Sequence, residues 1–158
     1  MIYCLDANAL IEPWSKYYSP ELCPDYWDAL SELAEKRIIF CTDEVRREVV
    51  KVDDGLSAWV KARPDFVREV DDDVQTKLRV ILQRFQRLVD TIKDRSMADP
   101  WVIAHAWSVG ATVVTKEIRT DSAKRIRIPD VCHALNVPCI DDFEFLKQVG
   151  IRFRVQQQ

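Results

Sequence analysis

The stretch "IYCLDANAL" (residues 2–10) decides the fold. Ile2, Tyr3, Cys4 and Leu5 form a short apolar run that passes straight into Asp6 and then into a helix-forming segment. A continuous apolar run, rather than an alternating one, is the pattern of a strand buried on both faces, as in a parallel sheet. Such a strand ending on a carboxylate calls for a reason, since an ionised acid at the margin of a core is costly unless something compensates it.

Outward from that strand, apolar runs and helical periodicities alternate. Residues 7–18 read as a helix interrupted by Pro13, and "CPDYWDALSELAEKR" as a second, with Pro24 in its first turn and Tyr26, Trp27, Leu30, Leu33 and Ala34 at helical spacing. "IIFC" (38–41) is the second strand, followed by Thr42 as N-cap of the helix "DEVRREVVKV". A short helix over 55–62 stops before Pro64, "FVREV" (66–70) is either extended or a connection, and an apolar stripe predicts a long helix over 72–93. "SMADPWVIAHAWSVG" is a helix closed by Gly110, "ATVVT" (111–115) the third strand and "IPDVCHAL" a short helix. "VPCI" (137–140) is the last strand, and "DDFEFLKQVG" a capped helix ending at Gly150. Strands alternating with helices imply a parallel sheet with helices on both faces.

Composition narrows the function. A chain of 158 residues that is 47% apolar suffices for one core, and three glycines argue against a glycine-rich phosphate loop. Five cysteines without a CxxC pair argue against a disulfide scaffold or structural zinc, and Cys4 and Cys41 read as core residues. With no basic segment ahead of Asp6 and no apolar run of membrane-spanning length, a cytoplasmic protein without membrane contact is expected. A net charge of −3 is unlike a general nucleic-acid binder, yet residues 116–127 carry five basic side chains against two acidic ones.

The placement of acids carries the chemistry. In an open parallel sheet, ligands bind outside the carboxyl ends of the strands. Asp6 follows the first strand and Glu117 lies two residues past Thr115. On the helix after the second strand, Val45, Val49 and Val52 define an inward stripe that includes Glu48, while Glu44 lies on its solvated flank. In the later helix, Val102, Ile103, Ala106 and Trp107 define a stripe that Asp99 continues. Four convergent carboxylates repel one another unless protonated or bridged by a cation, and an all-oxygen set favours Mg2+ or Mn2+. Such ions activate water for attack on phosphate esters, and the adjacent basic segment suits a polyanion, which describes a phosphodiesterase.

Plainer roles exist for each residue. Asp6 or Asn8 can cap the first helix, Asp99 before Pro100 has the form of an N-cap, and Glu48 can pair with Arg46, Arg47 or Lys51 on the surface. Glu117 can be a loop residue in water and the basic run a solvated loop. His105 and His133 are read as surface residues, and the five tryptophans as packing residues.

"LDANALI", the acid in "VRREV", "ADPWVIAHA" and "ATVVTKE" stand in the order of the acidic motifs of a PIN domain, and the chain resembles that family over nearly its whole length, in a prokaryotic subgroup with "ADPW" and "IPDVC". The resemblance implies a single PIN-like domain over 1–158, a helix-rich three-layer α/β/α sandwich with a central parallel sheet and a helical insertion at about 53–95. It further implies a metal-dependent ribonuclease, commonly the VapC-like toxin of a type II toxin–antitoxin pair, with RNA as substrate, a cognate antitoxin as partner and a possible homodimer. Carried over by position, Asp6, Glu48, Asp99 and Glu117 are the catalytic and metal-binding acids, with Asn8 and Thr115 as polar neighbours. The family usually has Asp where Glu117 stands, so Asp121 or Asp130 can substitute for Glu117 or assist it. Lys116, Arg119, Lys124 and Arg125 are the expected RNA contacts.

Two other functions remain in view. One is a catalytically inert PIN-like module that binds RNA or protein; the other is a different doubly wound phosphohydrolase. Against the second, a dehalogenase-type motif needs Asp at position 8, where Asn stands, and a receiver domain needs paired acids near the first strand, which are missing.

Overall fold

The computed structural model describes residues 1–89, 97–122 and 124–154. Its strands are β1 (Tyr3–Leu5), β2 (Ile39–Phe40), β3 (Thr112–Val114) and β4 (Cys139–Ile140), paired in parallel in the order β2-β1-β3-β4. Tyr3 lies opposite both Ile39 and Thr112, and Val114 opposite Ile140, so β1 and β3 are the central strands. Their side chains are buried on both faces, as the unbroken apolar runs require.

The helices are α1 (Asn8–Glu12), α2 (Pro24–Glu35), α3 (Asp43–Val49), α4 (Gly55–Lys61), α5 (Asp72–Arg84), α6 (Asp99–Val109), α7 (Ile128–Leu135) and α8 (Asp142–Val149). The crossover from β1 to β2 and that from β2 to β3 run in opposite directions along the sheet, so right-handed connections put α2 and α6 on opposite faces. The result is a helix-rich α/β/α sandwich. Most helix signals act as expected: Thr42 caps α3 through the Val45 amide at 3.2 Å, and Gly110 and Gly150 end α6 and α8 in the left-handed region. On the face of α8, the Phe145 ring meets Tyr3 of β1 edge-on, 5.0 Å between centroids.

Several expectations change. The helix expected over 7–18 becomes the single turn α1 and then a π-helical turn, Pro13–Tyr17, closed by the Tyr18 amide on the Pro13 carbonyl at 2.8 Å. Pro13 has no N–H to continue an α ladder, and the wider turn accommodates it. The helix expected over 72–93 stops at Arg84, because Phe85 leaves helical geometry (φ −125, ψ 57) and a 3-10 turn, Gln86–Leu88, swings Leu88 into the core. Of the apolar stripe expected there, Val74, Leu78, Ile81, Leu82, Phe85, Leu88, Val89 and Ile92, Leu82 is exposed, and residues 90–93 of that expectation lie outside the described residues. "FVREV" supplies a single parallel bridge from Val67 to Cys41 beside the short β2.

His105, expected at the surface, is fully buried. The cause is the setting of α6, which lies against β1, β3, α5 and α7 and is buried from Asp99 to Ala106 except at Trp101. A helix apolar all round has no stripe from which to read a wet face. The His105 Nδ1 lies 3.2 Å from an Arg68 guanidinium nitrogen, which can only donate, so Nδ1 accepts and the ring proton sits on Nε2, which is buried without a hydrogen-bond partner among the described residues. Burial, and then Arg68, push the imidazole down to about 4. Among the described residues no helix is long and apolar enough to cross a membrane.

Candidate active site

β1 has β2 on one side and β3 on the other, and the chain reverses its direction along the sheet between them, so the crevice at a strand-order switch opens at the carboxyl ends of β1 and β3. Asp6 and Thr115 stand there. The Asp6 amide still bonds the Val114 carbonyl at 3.0 Å, so the sheet ladder itself fixes where the carboxylate emerges. Its Oδ1 accepts from the Ala7 amide at 2.8 Å and its Oδ2 from the Thr115 hydroxyl at 2.9 Å.

Thr115 is fully committed. While donating to Asp6, its oxygen accepts from the Asn8 side-chain amide at 3.3 Å and the Glu117 backbone amide at 3.2 Å. Asn8 in turn accepts the Lys116 backbone amide at 2.9 Å, which ties α1 to the segment after β3. Neither Asp6 nor Asn8 is the N-cap residue of α1; that position belongs to Ala7, which makes no side-chain cap.

Asp6 is only 4% exposed. Burial pushes its carboxyl up to about 7; Glu117 and Glu48 push the same way, while the hydrogen bonds from Thr115 and Ala7 oppose the rise without cancelling it. A carboxylate so placed gains from any nearby positive charge. Glu117 is half-buried and anchored, its Oε2 accepting from the Ile128 amide that opens α7 at 2.9 Å, so it is not a loop residue in bulk water. Asp99 occupies the first turn of α6, buried to 9% exposure, and the N-cap position falls to Ala98 rather than to Asp99.

The two acids of α3 exchange their expected environments. Glu48 is exposed, not core-facing, although it stands close enough to act electrostatically on Asp6. Glu44, expected in solvent, has its Oε2 buried without a hydrogen-bond partner among the described residues. The reason is that α3 ends at Val49, so Val52, which helped define the stripe, is outside the helix and 62% exposed.

Of the assisting acids, Asp130 organises the loop ahead of α7, accepting from the Thr120, Asp121 and Arg127 amides, each at 2.9 Å. Although burial opposes it, those amides hold its carboxyl below the usual range. Asp121 is exposed, sits at φ 53 and pairs with Arg119 at 2.6 Å. Lys124 and Arg125 are exposed beside them. Lys116 differs: its ammonium donates to the buried Asp142 at 2.9 Å and lies 3.8 Å from Glu12, so it is already neutralised. Burial lowers its pKa, and the bond and charge of Asp142 outweigh that and raise it.

Asp142 was not singled out by the sequence. The signal was the doublet "DD" at the start of α8, in which only Asp141 caps the helix, through the Glu144 amide at 2.8 Å, leaving Asp142 another task. Among the described residues no three His, Cys, Asp or Glu side chains gather closely enough to hold a metal ion by themselves. The donors available at this edge are nonetheless carboxylate oxygens, the chemistry of a hard cation that keeps much of its water and takes one or two protein carboxylates.

A family model described as a domain of unknown function (DUF4411) matches residues 3–153. No curated protein matches. Among solved structures, VapBC2 from Rickettsia felis, bound to a DNA fragment from its promoter, superposes with a TM-score of 0.54 at 17% identity, covering 89% of this chain and 98% of that chain. VapBC-1 from nontypeable Haemophilus influenzae gives a TM-score of 0.54 at 14% identity, with 90% and 99% covered. At these identities the likeness is one of fold, and the fold is the PIN-like α/β/α arrangement.

Proposed function

The chain belongs to the DUF4411 family, and from that premise and its carboxylate-lined sheet edge we propose that it is a divalent-metal-dependent endoribonuclease, the toxin of a toxin–antitoxin pair. The observation that carries the proposal is Asp6: a buried carboxylate at the strand-order switch, held in one orientation by Ala7 and Thr115 and pushed up to about 7 by burial and by Glu117 and Glu48. The VapBC neighbours favour a VapB-like antitoxin as partner, and we read the chain as one domain with an insertion at about 53–95, of which residues 90–95 lie outside the described residues.

Asp6, Asp99, Glu48 and Glu117 are the residues we assign to the ion, Mg2+ or Mn2+, with one or two of them bound directly. When bound, such an ion supplies Lewis acidity and a water of lowered pKa for hydrolysis of a phosphodiester. The chain's own part is to orient. Thr115 and Ala7 fix the Asp6 oxygens, Asn8 locks the segment after β3 against α1, and Glu117 is held by the first amide of α7. Arg119, Lys124 and Arg125, exposed on the adjoining loop, contact the RNA backbone; Lys116, already paired with Asp142, is withdrawn from that role.

Expression of the chain should arrest bacterial growth and degrade cellular RNA, and Asp6→Asn should relieve both. Arrest that persists unchanged with Asp6→Asn removes the assigned site. Among the described residues no three carboxylates gather closely enough to hold a metal ion, which favours one other reading, an inert PIN-like module. In that case neither Mg2+ nor Mn2+ raises the melting temperature.

A further inference from the structure

Beside the Asp6 edge, between the segment after β3 and the start of α8, lies an open cavity of about 350 Å3. Lys116, Glu117, Asp142, Ile118 and Phe143 line it. Resting on the ribonuclease reading, we propose that this cavity receives one unpaired nucleobase of the RNA next to the cleaved bond, with Phe143 as its stacking platform.

Position, exposure and ring geometry converge. The cavity adjoins the candidate active site, because two residues that line it are bound to that site through their backbone amides, Glu117 to the Thr115 hydroxyl at 3.2 Å and Lys116 to the Asn8 side chain at 2.9 Å. Its rim carries two apolar side chains that folding leaves in water, Ile118 at 74% and Phe143 at 55% exposure. Large exposed apolar groups at the edge of a polar cleft mark a binding surface. A second exposed ring, Tyr17, approaches the same ammonium as Phe143: Lys116 Nζ lies 4.7 Å from the Tyr17 centroid and 5.6 Å from that of Phe143. Aromatic faces beside a cation are how single-stranded nucleic acid is held without base pairing.

Charge decides which part of a nucleotide enters. The lining has Glu117, Asp141 and Asp142 against the one ammonium of Lys116, which Asp142 already neutralises at 2.9 Å. A phosphate is repelled there. A neutral base is not, and its amino or imino N–H groups find carboxylate acceptors while its face lies on Phe143. The volume suits one base and not a duplex, so the substrate is single-stranded at this point.

The test is abasic scanning of a labelled single-stranded oligoribonucleotide with Mn2+. With the wild type, removing the base at one position beside the cleaved bond should lower kcat/KM about 10-fold, more than at other positions. Phe143→Ala, a substitution at an exposed side chain, should cost about the same on the intact strand and abolish the penalty at that position, the two losses failing to add. Phe143→Tyr should restore the penalty and Phe143→Leu should not. Equal abasic penalties for wild type and Phe143→Ala at every position overturn the base site and leave the ribonuclease reading standing. No cleavage of any RNA by the wild type with Mg2+ or Mn2+ overturns both.

Discussion

Replacing Asp6 by Asn should make the metal-free protein more stable above neutral pH, although it deletes a hydrogen-bonded buried acid. Asn keeps the Ala7 bond through its oxygen, and its nitrogen donates to the Thr115 hydroxyl when that hydroxyl turns to donate to the Asn8 side-chain oxygen, 3.4 Å away, and gives up the bond from the Asn8 side-chain amide, a cost that does not vary with pH. What it removes is the ionisation of a group pushed from 3.8 to about 7 by burial first of all. Below the unfolded value both states hold the proton. As pH rises through it, the unfolded chain ionises while the folded one does not, so stability falls until the folded group also ionises near 7; the full loss is about 4 kcal/mol. His105 slopes the other way, since burial and Arg68 depress it from 6.5 to about 4, and stability rises by about 3 kcal/mol as pH rises between those values. The wild-type curve is therefore flattened from pH 4 to 6.5 and reveals little alone. The difference between variant and wild type isolates Asp6: in urea unfolding with EDTA it should be small at pH 4.5, grow through pH 7 and level near 4 kcal/mol by pH 8. A variant no more stable than wild type at pH 8 refutes the reasoning.

Mg2+ or Mn2+ should raise the melting temperature of the wild type and do so far less for Asp6→Asn, because only the former offers the buried carboxylate. Lys116→Met should destabilise by about 3–5 kcal/mol in urea, since it strands Asp142, which is 4% exposed in its side chain. Lys116→Met with Asp142→Leu should recover most of that loss; a double variant as unstable as the single one would show that the pair is not the cause.

The strands and most helix ends were legible because their signals are local. Apolar runs such as "IYCL" and "ATVV", the Thr42 cap and the glycines at 110 and 150 act on neighbours a few residues away. The site was legible in part: Asp6 and Thr115 follow from strand ends, and the parallel order brings those ends together. What failed depended on packing. The stripe through Val45, Val49 and Val52 assumed a helix that stops at Val49, which exchanged the environments of Glu44 and Glu48. The His105 reading assumed that α6 has a wet face, and the sheet, α5 and α7 leave it none. Lys116 looked like a free cation within a basic run until α8 brought Asp142 to it across 26 residues.

The most direct test is hydrolysis of a labelled single-stranded RNA by purified protein, read on a gel with Mg2+ or Mn2+ and with EDTA. Internal cleavage should require the ion, be abolished by Asp6→Asn and be reduced far more by Glu48→Gln than by Glu44→Gln. Cleavage that persists in EDTA, or that Asp6→Asn leaves at the wild-type rate, contradicts the assignment of the Asp6 edge as a metal-dependent ribonuclease site.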